Sequence, residues 1–172
     1  TIAKDTYVEI KNTLINNGTV TVQMDGNLIQ RNNFPKVPNV GEIKVEKLFT
    51  FNTKDSKNDR QQYNYISSPV IGGYVNKIFN GSPATAIYHS EAKNMFYSSS
   101  GANIQGRALA VKEPSRNDVP DNTATANFVG KPFSGVLKYP VAYTVNAGVT
   151  PGHNLLGNPY PSNLDLDKLY NY

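Results

Sequence analysis

The chain is expected to be all-β: a β-sandwich, jelly-roll-like, preceded by short solenoid-like or meander strands and followed by a short C-terminal helix. Three observations predict this. Apolar and polar residues alternate in many short runs, as in Thr19-Val20-Thr21-Val22, which is the period of a half-buried strand. Asn-Gly and Asp-Gly pairs punctuate these runs, and such residues tolerate positive φ or bond their own backbone in tight turns. Long stretches with helical spacing are missing.

The bulk composition narrows the class further. A chain of 172 residues with 11 Tyr and 7 Phe is long enough, and aromatic enough, to fold around its own core. Lys and Arg total 17 against 13 Asp and Glu. The excess is scattered, whereas a nucleic-acid binder gathers it on one face, so no nucleic-acid partner is expected. The absence of cysteine excludes disulfides, thiolate metal sites and a Cys nucleophile. No apolar run approaches the roughly 20 residues that span a bilayer, so no transmembrane segment is expected. Thr1-Ile2-Ala3 is not a signal peptide and reads as the middle of something longer.

Taken in order, residues 7–30 alternate around turns at Asn16-Asn17-Gly18 and Asp25-Gly26-Asn27. Two foldings fit: an antiparallel meander, or rungs of a parallel solenoid. Brief strands and Asn-Gly corners lean towards rungs. A break rich in Pro, Asn and Gly over 32–41 divides a solenoid-like segment, 1–33, from a sandwich domain, 42–172. In residues 42–49, Ile43 and Val45, continued by Phe49 and then Phe51, face one way and the charges the other. Residues 52–62 read as an exposed loop. Pro69 ends the strand at Tyr65-Ile66, and Gly72-Gly73 turns. Runs at 86–88 and 95–97 flank Glu91-Ala92-Lys93-Asn94 as a hairpin with a loop at its tip. A short strand follows Gly106, and 112–126 is expected to be the longest loop. Residues 128–129 and 133–137 resume a strand pattern. Tyr139, Val141, Tyr143 and Val145 make the clearest amphipathic strand. Gly148 and Pro151-Gly152 turn. Ser162 with Asp165 three residues on fits a capping box, opening a helix whose apolar face is Leu164, Leu166 and Leu169. The stop at Tyr172, soon after that helix begins, reads as truncation.

Two stretches nearly repeat: Tyr63-Asn64-Tyr65-Ile66-Ser67-Ser68-Pro69 and His153-Asn154-Leu155-Leu156-Gly157-Asn158-Pro159-Tyr160. Each is a ring, Asn, two apolar residues, a small residue, Ser or Asn, then Pro. Asn64, Pro69, Asn154, Asn158, Pro159 and Tyr160 form a structural signature. Asn64 and Asn154 are expected in similar roles at two strand ends, their side chains bonding nearby backbone.

The polar residues otherwise carry little chemistry. His89 and His153 are expected to pack or lie at the surface rather than join a triad or zinc site. Asp165, Asp167, Asp118 and Asp121 lack the spacing of a calcium loop. Glu42 and Glu46 share a strand face and are expected to be solvated. Asn17-Gly18-Thr19 and Asn80-Gly81-Ser82 are glycosylation patterns that turns explain. No catalytic residue, metal or cofactor is expected. Most tyrosines are expected to pack in the core, with Tyr139 and Tyr143 as candidates for stacking on sugars.

The signature pair, with Gly106-Arg107-Ala108 and Phe133-Ser134-Gly135 between its halves, resembles large surface and secreted proteins of Bacteroidota, flavobacteria above all. The 154–162 run is the specific part of the resemblance. Tyr63 and His153 stand where Trp is usual in that group. The resemblance implies export by the type 9 secretion system, with its translocon as a transient partner, and a secreted or cell-surface location. It implies a non-catalytic structural or adhesive segment, with adhesion or gliding as the setting and surface glycans or other cell-surface proteins as partners. The alternatives are a carbohydrate-binding module attached to a secreted hydrolase, or a substrate fragment caught with the secretion machinery.

Overall fold

The computed structural model describes residues 1–32, 37–50, 63–74, 77–79, 85–99, 101, 103–112, 123–145 and 152–170. The expected loop at 52–62, most of the one at 112–126, the Gly148 and Pro151 turn positions and the Asn80-Gly81-Ser82 pattern lie outside these.

The chain starts as rungs. Strands β1 (Tyr7–Ile10), β2 (Val20–Val22), β3 (Asn27–Gln30) and β4 (Ile43–Thr50) pair in parallel, β1 with β3 and β2 with β4. Parallel bridges join Ile2 to Val22 and Ile15 to Val40. Parallel neighbours require the chain to go round and return on the same side, so the meander is not formed. Ile2, Val22 and Val45 stack inward and are buried. The corner at Asn16 is set by amide bonds: its Oδ1 accepts from Gly18 N (3.0 Å) and its Nδ2 donates to Glu42 O (2.7 Å). Gly41, at φ +84°, passes so close beneath that a Cβ would sit 2.0 Å from Asn16 O.

The rungs run directly into the remaining sheets. The later strands are β5 (Asn64–Ile66), β6 (Val70–Ile71), β7 (Thr85–Ser90), β8 (Met95–Ser98), β9 (Leu109–Lys112) and β10 (Thr123–Pro132). One sheet has the order β2-β4-β10-β6, and β4 is its hinge, parallel to β2 and antiparallel to β10. Residues on both sides of the 32–41 break therefore share a sheet. The other four-stranded sheet, β5-β9-β7-β8, is antiparallel throughout. Ile43, Val45, Ala126 and Phe128 of the first sheet and Ile66, Ala86, Leu109 and Val111 of the second lie in one buried cluster with Ile2, Val22 and Leu28. The fold is all-β and sandwich-like, its apolar interior continuous with the rungs.

The alternation over 42–49 gives β4 as predicted, and the 86–97 hairpin forms with a 3-10 turn at Glu91–Lys93 and Asn94 left-handed at φ 47°. Other expectations are corrected. Residues 123–126 belong to β10, where Ala124 and Ala126 are buried; small alanines between threonines gave no apolar signal. Residues 133–137 and 139–145 form no strand, and Val141, Tyr143 and Val145 are exposed. Ser162 does not cap helix α1 (Leu166–Tyr170). Asp165 does, accepting from Lys168 N at 3.2 Å, and this bond holds its carboxyl below the ordinary range. Leu164, Leu166 and Leu169 are exposed rather than packed. Among the described residues no helix is long and apolar enough to cross a membrane.

Candidate functional site

The two signature stretches meet. In the first, β5 stops because Ser68, buried before Pro69, turns its hydroxyl back on Val70, donating to its O (2.8 Å) and accepting from its N (3.3 Å). In the second, Leu156 bridges Arg107 antiparallel, with Ala108 N donating to Leu155 O and Gly157 N to Gly106 O. Ser67 Oγ donates to Asn158 O at 2.7 Å. Gly157 lies against Ser67 so tightly that a Cβ would come 2.2 Å from Ser67 Cβ.

Asn158 then folds the 158–162 run into a turn. Its Oδ1 accepts from Tyr160 N (2.9 Å) and its Nδ2 donates to Ser162 O (2.6 Å). Pro159 is buried behind it. The Tyr160 hydroxyl donates to Gly135 O at 2.7 Å, and its ring packs on Phe133; burial raises the phenol pKa above the ordinary value. Beyond the turn, Pro161 O accepts from Leu28 N, and Asn163 N donates to Asn27 Oδ1. The stretch thus covers the edge of β3, holds the segment after β10 and ties to the second sheet. It acts as a clasp on three parts of the fold.

Asn154 takes the backbone-bonding role expected of it. Its Oδ1 accepts from Ala142 N (3.1 Å) while its Nδ2 donates to Ala142 O (2.8 Å) and Gly152 O (3.1 Å). Asn154 thus bonds both main-chain groups of Ala142, as a neighbouring strand would. Asn64 is not its counterpart: its Nδ2 is buried and has no hydrogen-bond partner. The tyrosines are also redistributed. Tyr139 is half-buried beside Gly106, whereas Tyr63, Tyr65 and Tyr143 are exposed, Tyr143 at 70%.

Glu91, at the tip of the β7–β8 hairpin, fastens the same 139–145 segment, which forms a strap between it and Asn154. Its carboxylate accepts from Thr144 N (2.6 Å), Thr144 Oγ1 (2.7 Å) and Gly152 N (3.1 Å). These donors, the Thr144 hydroxyl foremost, hold its pKa below the ordinary carboxylate value. A carboxyl with a depressed folded pKa contributes stability above its unfolded pKa and loses it as pH falls through the folded one. Amide exchange at Thr144 and Gly152 is therefore expected to speed up as pH falls below the ordinary Glu range, after correction for intrinsic exchange. Glu91→Gln is expected to show fast exchange already at neutral pH and to lose this pH dependence. A pH-independent strap in the unsubstituted chain would contradict the assignment.

Two histidines that the sequence left apart are brought to one cleft. About 290 Å³ is lined by His89, Asn94, Phe96, His153, Asn154 and Leu155. His89 Nε2 lies 3.2 Å from Asn94 Oδ1, and its ring meets Phe96 edge-on at 5.1 Å. Among the described residues no three His, Cys, Asp or Glu side chains form a group able to hold a metal ion. Asp165 is occupied in capping, and Glu46 in an ion pair with Lys44.

Sequence reasoning missed Asn39, which it placed in a break. Asn39 is buried; its Oδ1 accepts from Leu14 N (2.9 Å) and Gln30 Nε2 (2.9 Å), and its Nδ2 reaches Gln30 Oε1 (2.8 Å), Pro132 O (3.0 Å) and Ser134 Oγ (3.2 Å). It is the polar joint between the rungs and the end of β10.

The fold and clasp define the class: an all-β domain whose most distinctive sequence stretch is spent on holding rungs and sheets together. The chain belongs to the family described as Domain of unknown function (DUF8693), which it matches over residues 1–172. Neither the curated proteins nor the solved structures yield a match.

Proposed function

We propose that this domain is a non-catalytic structural or adhesive segment of a secreted bacterial cell-surface protein. One observation carries the reading. The side chains that make the signature recognisable, Asn154, Asn158 and Ser67, point their polar atoms at the chain's own backbone. Groups so bound hold shape and are not left converging on a reacting atom. The parallel rungs support a structural role, because stacked rungs make a stiff, extended element. The setting comes from the resemblance of the 154–162 run to flavobacterial surface proteins, which brings export by type 9 secretion and a surface location with it.

The test is made on the full-length protein in its native cells. The expected result is recovery at the outer surface, degraded by protease added to intact cells, and loss of surface display when type 9 secretion is disabled. Retention in the cytoplasm, protected from protease until lysis, would overturn the proposal.

A further inference from the structure

We infer that the cleft between the β7–β8 hairpin and the start of the second signature is a binding site for a neutral sugar. The inference rests on the adhesive side of the reading above and names its ligand class.

The chemistry of the walls selects the ligand. Phe96 is a half-open aromatic ring, 44% exposed, and offers an apolar face of the kind that packs on the C–H side of a pyranose. Around it stand groups that both donate and accept. Among the described residues, Asn94 Nδ2 and both ring nitrogens of His153 meet no hydrogen-bond partner, and His89 bonds through one nitrogen alone, to Asn94. Imidazole and amide groups can serve hydroxyls in either direction. Among the described residues no Lys, Arg, Asp or Glu lines the cleft, so its lining offers no fixed charge to pair with an anion or a cation. The Glu91 carboxylate, close enough to His89 to feel its charge, is taken up by Thr144 and Gly152. A volume of about 290 Å³ is at the small end of ligand sites and suits a unit or two of a sugar chain.

The site is also fixed before any ligand arrives, which lowers the ordering cost of binding. Asn94 is set in the left-handed region at φ 47° by the hairpin turn. Asn154 is tied by three bonds to Ala142 and Gly152. Tyr143 rests its ring on Gly152, one residue before His153. The candidates for sugar stacking named from sequence, Tyr139 and Tyr143, belong to this neighbouring strap and do not line the cleft.

The experiment is a screen of the purified chain against a glycan array, followed by calorimetric titration of the best neutral oligosaccharide. Phe96→Ala is expected to abolish binding. His153→Ala and Asn94→Gly are each expected to weaken it about tenfold, the worth of one or two hydrogen bonds. Asn94→Gly keeps a residue suited to positive φ, so it tests the amide without disturbing the turn, and circular dichroism confirms folding of each variant. Absence of neutral glycan binding overturns the proposal. So does binding confined to acidic glycans, saturable Zn²⁺ binding lost on His153→Ala in place of sugar binding, or loss on Tyr143→Ala without loss on Phe96→Ala. The measurement uses purified chain, so its failure is separate from failure of the surface reading, which localisation decides.

Discussion

Gly157→Ala is expected to destabilise the fold by about 3 kcal/mol, read as a lowered midpoint in urea or thermal unfolding. The added methyl would lie 2.2 Å from Ser67 Cβ, 2.6 Å from Ser67 Oγ and 3.2 Å from Ala108 Cβ. A Cβ has no rotamer to escape through, because it is fixed by its own backbone. Relief therefore requires the 155–158 segment to lift off the second sheet. That movement strains Gly157 N–Gly106 O and Ala108 N–Leu155 O, and it parts Ser67 Oγ from Asn158 O. Overpacking of this kind costs about 1–3 kcal/mol, and each hydrogen bond lost adds about 1. Ser67→Gly alone loses one hydroxyl bond and is expected to cost about 1 kcal/mol. Combined with Gly157→Ala it removes the clash, so the double variant is expected to be more stable than Gly157→Ala alone. Strictly additive effects in this cycle would mean that the two signatures do not meet as described.

Why this contact escaped the sequence is physical. The two stretches look alike, and likeness suggested equivalent strand ends rather than partners. Gly157 reads as the small residue of the repeat, while its use here is close approach to a serine far away in the chain. Where a segment's own faces decided the outcome, reading worked: Ile43 and Val45 alternate with Lys44 and Glu46, and β4 buries the apolar pair. The 139–145 run has an equally regular period, yet alternation says only that two faces differ. It does not say that a neighbouring strand exists. Here two side chains stand in for the neighbour, Asn154 at Ala142 and Glu91 at Thr144, and Val141 and Tyr143 are left exposed. The histidine cleft was hidden for a similar reason, since His89 and His153 approach only through the hairpin and strap that Glu91 joins. Asn39 was the hardest to see. Just after Pro38 and two residues before Gly41, it has every local mark of a turn residue, and its partners lie in three other segments.

Asn39→Ala is expected to cost about 4 kcal/mol and to loosen the joint between rungs and sandwich. The substitution leaves Leu14 N and Pro132 O facing a methyl group in a site where Asn39 is 8% exposed. Each buried main-chain group stranded in this way costs about 1–3 kcal/mol, and Gln30 loses both halves of a reciprocal amide pair. Hydrogen exchange should report the damage locally, with faster exchange at Leu14 and in β3 than in the β7–β9 pairing. Asn39→Asp separates bonding from shape. The new side chain has the same outline and still accepts from Leu14 N and Gln30 Nε2, but an ionised carboxylate cannot donate to Pro132 O. It instead sets two acceptors against each other in a buried place, which favours the protonated acid in the folded state. The folded pKa is then raised above the unfolded value of about 4. A group shifted that way contributes stability below its unfolded pKa and loses it as pH rises through the folded one. The deficit of Asn39→Asp relative to the unsubstituted chain is therefore expected to be large at neutral pH and to shrink towards pH 4 and below. A deficit that stays constant with pH would show that Asn39 does not donate to Pro132, and the joint would then rest on the β2–β4 pairing and on the 158–163 clasp.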